Sequence, residues 1–258
     1  MTTYLDVIVA RHRERAALDS RALGPLTEEA RRAGTVRSFA DALEASSRLA
    51  VIAEVKRRSP SKGDLAPALD PADLARTYAA AGAACLSVLT DHDHFGGSPD
   101  DLVAVRGACA LPVLRKDFTV ELRDVCDARL MGADCVLLIA AVLEDALLGD
   151  CLALASDLGM DALVEVHDEA ELERALDRGA RLVGVNQRDL VTFEVDHDRA
   201  VRMGAAIPRD VVSVAESGVR GRTDAESLRR AGYDAILVGE HLVTAADTAR
   251  ALVDLLVD

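Results

Sequence analysis

Tryptophan is absent from the chain, and tyrosine and phenylalanine are so sparse that aromatics make up 3% of its 258 residues. A surface that stacks successive bases of single-stranded nucleic acid needs more π-faces than this. Positive charge is also in deficit: 30 Lys and Arg against 44 Asp and Glu leave a formal net charge of -14. Nucleic acid and anionic membrane surfaces reward basic patches, so neither is expected as a main partner. No window approaches the roughly 18 consecutive apolar residues of a membrane span, and MTTYLDVIVARHRERAALDS lacks the order of a signal peptide. A soluble cytoplasmic protein is the expectation. The five cysteines, at 85, 109, 126, 135 and 151, form no CxxC pair and are odd in number, which argues against a disulfide framework and against a zinc site.

What the chain has is apolar residues, half of the total, arranged in a repeating order. Short β-like runs recur at 49–55, 85–89, 112–116, 134–139, 161–166, 182–186, 211–215 and 235–239. Between them lie stretches of helical period such as PADLARTYAAAG, EAELERALDRG and RTDAESLRRAG, each long enough for a crossover between parallel strands. Five joints, among them YAAAGAACLSV, RLMGADCVLLI and LRRAGYDAILV, place a glycine after a helical stretch and before a strand, as a helix C-terminus requires. Eight strands in such units, with no linker after residue 49, predict an α/β fold of the (β/α)8 type, the TIM barrel. The rival is an open dinucleotide-binding sheet, but no GxGxxG follows any strand. Residues 1–48 show helical patterns (DVIVARHRERAALDS, SFADALEASS) and no convincing strand. The chain is therefore read as one domain over 1–258, an N-terminal helical extension at 1–48 followed by the barrel at 49–258.

In such a barrel, function gathers where the strands end at their C-termini. There the runs carry Glu54 and Lys56, Thr90 and Asp91, Lys116, Glu165, Asn186, and Glu216 with Ser217. Side chains alternate along a strand, so if Ile52, Leu114 and Val214 face the lumen, Glu54, Lys56, Lys116 and Glu216 crown it. Ionisable groups from several strands then meet over one cavity, where burial and mutual charge shift pKa values toward those of proton transfer. One charge at a strand end is ordinarily a solvated rim group; the coincidence on several strands is what points to chemistry. After strands seven and eight, AESGVRG and VGEHL put Ser217, Gly218, Gly239 and the backbone of Glu240 where barrels bind phosphate through N–H groups, although both glycines could serve tight turns alone. Asp91, His92, Asp93 and His94 are consecutive and no distant ligand of matching type is evident, so no metal is assigned there. Ser59-Pro60-Ser61 has no GxSxG elbow and no strand-end histidine but His167, which argues against a serine hydrolase.

These blocks, IAEVKRRSPSKG, LTD…FGGS, PVLRKDF, ALVEVH, GVNQRDL…TFEVD, AESGV and LVGE, resemble in order and spacing those of the indole-3-glycerol phosphate synthase family. They extend from residue 52 to 240. The resemblance implies a small phosphorylated substrate, 1-(2-carboxyphenylamino)-1-deoxyribulose 5-phosphate, converted to indole-3-glycerol phosphate with loss of carbon dioxide and water, with no cofactor, no metal and a monomeric chain. It makes Lys116 the general acid, Glu165 the proton-transferring carboxylate, Lys56 the partner of the substrate carboxylate, and Glu54 the group that orients the lysines. Asn186, Glu216 and Ser217 would hold hydroxyls and the reacting chain, with Arg188 near the anionic parts. Ser59, Gly218, Gly239 and Glu240 would touch substrate or phosphate, and Pro60, Phe95, Phe118, Leu137 and Leu190 would wall the aromatic ring, Leu137 and Leu190 being equally at home in ordinary packing. Asp91 departs from the family's usual glutamate, Gln187 is in a variable position, and Arg58 stands where a small residue is common. SPSKG is then expected to be a mobile loop that closes over the ligand. A phosphosugar isomerase on the same barrel would want a cysteine or aspartate pair at strand ends, whereas Cys85 begins its run. A retired barrel serving only to bind a ligand would not need two lysines beside two glutamates.

Overall fold

The computed structural model describes residues 4–188 and 194–258. Eight parallel strands close into a barrel: β1 (Ala50–Val55), β2 (Cys85–Leu89), β3 (Val113–Lys116), β4 (Cys135–Ile139), β5 (Asp161–Val166), β6 (Leu182–Asn186), β7 (Val212–Glu216) and β8 (Ala235–Val238). Each pairs with the next along the chain and β8 returns to β1. They are the eight apolar runs, with no boundary moved by more than one residue. Three helices precede the barrel: α1 (Tyr4–Leu18), α2 (Leu23–Arg31) and α3 (Phe39–Glu44). The outer ring is α4 (Pro71–Ala81), α5 (Pro99–Ala108), α6 (Leu122–Leu130), α7 (Asp145–Asp157), α8 (Glu169–Asp177), α9 (His197–Gly204), α10 (Arg222–Arg230), the single turn α11 (Glu240–Val243) and α12 (Thr248–Leu255).

Local chemistry accounts for the joints. Helices α4 and α5 start with proline at the first turn behind Asp70 and Ser98, whose side chains accept the N–H of Asp73 and Asp101, the N-cap bond that satisfies a helix's orphan donors. At the other ends Gly82, Gly132, Gly159, Gly179 and Gly232 all have φ between 76° and 98°, the left-handed turn that ends a helix and that an L side chain resists. The joints expected from sequence are these five residues.

Period-2 alternation divides the apolar side chains into two bodies. Val51, Ala53, Val55, Leu86, Val88, Val136, Leu138, Val164 and Val183 point outward and pack under the helices. Ala50, Ile52, Cys85, Leu114, Cys135, Leu137, Leu163, Leu182, Val212, Val214, Ala235 and Leu237 fill the lumen. Helix α3 plugs the N-terminal end of that lumen: Phe39 and Leu43 join the inner cluster, and Asp161 at the start of β5 accepts the backbone N–H groups of Phe39 and Ala40. The lower lumen is thus closed and apolar, which leaves the upper mouth as the place for polar groups.

Two local features add to what the sequence predicted. Helix α2 went unforeseen, because Gly24 and Pro25 interrupt its pattern; both fall in the first turn, where Pro is tolerated. The segment after β1, expected as a loop that closes over the ligand, contains a two-rung antiparallel hairpin, Arg58–Ser59 against Gly63–Asp64. Ser59 Oγ accepts Lys62 N–H inside its turn, Gly63 takes φ +69°, and Arg58 Nε donates to Asp64 Oδ1 at 2.8 Å.

Candidate active site

The mouth of the barrel is a cavity of about 610 Å³. Glu54, Lys56, Lys116, Glu165, Asn186 and Ser217 all line it, as do Ser59, Pro60, Phe95, Phe118, Leu137, Arg188 and Glu216, and Gly218, Gly239 and Glu240. Leu190 lies outside the described residues.

Three carboxylates sit at this mouth almost without solvent: Glu54 is 4% exposed, Glu165 3% and Glu216 2%. Burying a carboxylate is costly unless it is paired, so their partners define the chemistry. Lys56 Nζ stands 2.5 Å from Glu54 Oε1. Lys116 Nζ donates to Glu165 Oε2 at 2.8 Å and lies 3.5 Å from Glu216 Oε2. Asn186 Nδ2 donates to Glu165 Oε1 at 3.0 Å. Burial alone would push the Lys116 ammonium toward neutrality, but Glu165, Glu216 and Glu54 outweigh it and hold the lysine protonated well above its ordinary value. Burial would likewise raise Glu165, yet Lys116 and His167 hold it ionised far below the usual carboxylate range. Acid and base are in opposite protonation states 2.8 Å apart.

Glu216 behaves differently. Its Oε1 has no hydrogen-bond partner among the described residues, and burial together with the charges of Glu165 and Glu54 pushes it up to about 8 against the pull of Lys116. At neutral pH it is a buried acid able to donate. An acid whose native pKa lies above its ordinary 4.5 binds a proton more tightly folded than unfolded, so stability falls as pH rises from 4.5 to 8. Glu216→Gln cannot titrate. Its melting temperature relative to the parent is therefore expected to rise between pH 5 and pH 9, and parallel melts in buffers across that range check it.

Two glycines make room for these carboxylates. A Cβ at Gly239 would lie 2.2 Å from Glu54 Oε1 and 3.0 Å from Lys56 Nζ, and one at Gly184 would lie 2.0 Å from Glu216 Oε1. On the β7 side, Ser217 is the one non-glycine with positive φ (67°) among the described residues, a conformation that costs roughly 1–2 kcal/mol. It is held there by the buried Gln187, whose Nε2 donates to Ser217 O at 2.9 Å and whose Oε1 is 2.9 Å from His197 Nδ1.

Helix α1 supplies a wall that no strand-end motif announced: Tyr4, Leu5 and Ile8 face the cavity. It is docked by His12, whose Nε2 is 3.1 Å from Asp91 Oδ2 and 3.8 Å from Asp117 Oδ1. Burial would raise Asp91, but His12 and His94 hold it down to about 2. His12, Asp91 and Asp117 place ligand-type atoms within 4.8 Å of one another, so the fold brings Asp91 the distant neighbours that sequence spacing did not reveal. Their oxygens are engaged already: Asp91 caps His94 N–H, while Asp117 takes the Thr90 hydroxyl, the Phe118 N–H and Arg115. The cluster anchors α1. Lys62, His197, Arg220 and His241 also line the cavity, on the side of Gly218 and Glu240. Of these, Arg220 was the most accessible to sequence reading, two residues beyond the glycine of AESG. Cys85, by contrast, begins β2 beneath the site, its thiol within 3.6 Å of Phe39 O and pushed up by burial.

A closed parallel barrel with buried acid–base pairs and glycine turns at its C-terminal mouth defines an enzyme of the (β/α)8 class. Solved structures of this shape include a 3-hexulose-6-phosphate synthase (TM-score 0.63, 16% identity, 80% of this chain and 98% of that one) and the thiamine phosphate pyrophosphorylase of Pyrococcus furiosus (TM-score 0.61, 17% identity, 80% and 93%). At such identities they show the fold alone. The family model for indole-3-glycerol phosphate synthase matches residues 5–255. Among curated proteins, the chain is 50% identical over 255 residues to the indole-3-glycerol phosphate synthase of Mycolicibacterium vanbaalenii, covering 98% of this chain and 93% of the relative. It is 49% identical over 260 residues to the enzyme of the same name from a Polaromonas species, covering 99% and 98%. The chain belongs to the indole-3-glycerol phosphate synthase family. No helix among the described residues is long and apolar enough to cross a membrane.

Proposed function

We propose that the barrel mouth carries out the family's carboxy-lyase reaction, closing 1-(2-carboxyphenylamino)-1-deoxyribulose 5-phosphate into indole-3-glycerol phosphate, and that the lining side chains divide its proton transfers among them. Ring closure begins as the aromatic carbon bearing the carboxylate attacks the ketone carbon. Negative charge develops on the ketone oxygen, and Lys116, kept protonated chiefly by Glu165, gives it a proton. Carbon dioxide then leaves and the ring recovers its conjugation. The new hydroxyl departs as water once an acid protonates it, and Glu165, ionised and free of its own proton, takes the hydrogen whose loss completes the indole. Lys56, beside Glu54, binds the substrate carboxylate until it leaves and stands within reach as a second acid.

The phosphate end is assigned to the turns after β7 and β8. Gly218, with φ +76°, and Gly239, before the single turn α11, bring backbone close to a ligand without a side chain in the way. Glu240 would contribute its N–H there. Phe95 and Phe118, with ring centroids 6.3 Å apart, and Leu137 form an apolar wall for the anthranilate ring. Cytoplasmic residence is part of the same proposal.

The observation that carries this reading is the Lys116–Glu165 contact, an acid and a base set in opposite forms that β3 and β5 bring together over β4 in one cavity. Incubating the purified protein with the substrate and following the rise of indole absorbance or fluorescence tests it. Turnover is expected without added metal, and a folded protein that produces no indole-glycerol phosphate would sink the proposal.

A further inference from the structure

We propose that His167, clamped by Glu171, is a positioning residue for Glu165: the imidazolium stands behind the carboxylate, fixes its orientation and keeps it ionised for the proton it must accept. The inference rests on the role given to Glu165 above, and neither His167 nor Glu171 lines the cavity.

The arrangement follows from the end of β5. Leu163, Glu165 and His167 share a face by period-2 geometry, so the histidine follows Glu165 on the same side just where the strand gives way to α8. Glu171, in the first turn of α8, reaches back with one oxygen: Oε2 accepts the His167 backbone N–H at 2.8 Å and lies 3.1 Å from its Nδ1. That double contact fixes the ring plane and puts a proton on Nδ1. The opposite nitrogen, Nε2, is buried with no hydrogen-bond partner among the described residues and lies 3.5 Å from Glu165 Oε1. At that separation it acts as a charge more than as a hydrogen-bond donor. Burial alone would discharge the ring, but Glu165 and Glu171 push it up to about 10, so it is a cation throughout the working pH range.

The other groups facing Glu165 are Lys116 from β3, Asn186 from β6 and Glu216 from β7, with Glu54 of β1 acting on Lys116. Lys116 must move and give up a proton during the reaction. A second cation outside the cavity keeps Glu165 ionised while Lys116 is engaged with substrate. A carboxylate between one working lysine and one fixed histidine retains its charge in both states of the lysine, which a single partner could not ensure.

His167→Gln and Glu171→Gln test this. The first removes the cation; the second keeps the cap-like contact with His167 N–H but removes one of the two charges that hold the ring protonated, Glu165 being the other. The first is expected to move the acidic limb of the kcat profile upward by about one pH unit, tenfold in proton affinity, and the second to move it the same way by less. The loss of kcat should grow toward the acidic end of the range in which the protein stays folded and be least at pH 8, and KM should change little. His167→Lys, which restores a cation, should return the limb toward the parent's position. A loss of activity equal at all pH values, with an unmoved limb, would mean an ordinary structural role and overturn the inference. Carbon-13 NMR titration of the Glu165 carboxylate, assigned by its disappearance in Glu165→Gln, gives a readout independent of turnover. A raised midpoint in His167→Gln supports the inference even in a protein that fails the synthase assay, whereas an unchanged midpoint refutes it even in an active one.

Discussion

Lys116→Met is expected to lower kcat by about 10³-fold, within the 10²- to 10⁴-fold that one positioned proton transfer contributes, while KM moves far less. Methionine keeps the length of the side chain and removes its charge. Two effects then combine. The ketone oxygen loses its proton donor, and Glu165, Glu216 and Glu54 lose the cation that their shared field holds protonated. Glu165 is the more affected, since Lys116 is the leading influence holding it below the ordinary 4.5. A depressed carboxylate contributes stability above that ordinary value and loses it as pH falls through the native one. With Lys116 gone, that contribution shrinks, so the variant should lose more melting temperature relative to the parent at pH 8 than at pH 4. Because the pair works as a unit, Lys116→Met/Glu165→Gln should be scarcely slower than the worse single variant. Single-turnover rates on the purified proteins decide it. Parental kcat in a folded Lys116→Met protein would remove the lysine from the mechanism.

The barrel was readable in advance for a simple physical reason. A strand buried on both faces is a short unbroken apolar run, and here each run is followed by a helix, five of which stop at a left-handed glycine. CVLLI and Gly159, for example, carry those signals with no help from the rest of the chain. The strand-end charges were readable too: Glu54, Lys116, Glu165 and Glu216 interrupt apolar runs at the same end, and alternation puts them on the face that Ile52, Leu114, Leu163 and Val214 occupy one step below. Contacts made across long sequence separations were not readable. His12 meets Asp91 across 79 positions, and α1 becomes a wall of the cavity through that contact, which no local pattern encodes. Nor did spacing show that Gln187 would brace the strained Ser217.

His167 lies between these cases. It was visible as a histidine at a strand end, and period-2 geometry already put it on the face of Glu165. What sequence could not supply was Glu171 turning back from α8 to fix the ring, since an i,i+4 pair across a strand-to-helix junction obeys neither the strand period nor the helix period. The buried ionisable groups of the acid–base cluster thus come from strand ends, whereas His167 and Glu171, which stand behind Glu165, come from the junction between β5 and α8.

The space inside the cavity is set as much by missing side chains as by those present, and Gly184→Ala is expected to show it with a fall of about 10²-fold in kcat/KM, the size that displacement of a reacting group by an ångström produces. Gly184 lies inside β6, paired with Glu165 on one side and Val214 on the other, and its φ is not in the left-handed region. Alanine therefore meets no backbone penalty there, and the effect is one of contact. The added carbon would fall 2.0 Å from Glu216 Oε1, 3.0 Å from its Cδ and 3.2 Å from Leu163 Cδ1. Glu216 has to swing aside, either against Glu165 and Lys116 or into the volume the substrate needs. Overpacking of this kind costs about 1–3 kcal/mol, so melting temperature should fall measurably as well. The double variant Gly184→Ala/Glu216→Ala separates the causes. Truncating Glu216 frees the space, so the double variant should recover the stability lost by Gly184→Ala, while its activity stays at the level of Glu216→Ala alone. Activity and stability that both stay parental in Gly184→Ala would show that Glu216 can leave its place at no cost, and that its position over β6 has no part in catalysis. A mid-strand glycine in this barrel is otherwise a weak point, giving up side-chain packing and backbone entropy. Its presence beside the one site carboxylate held near pH 8 is explained by the room that carboxylate takes.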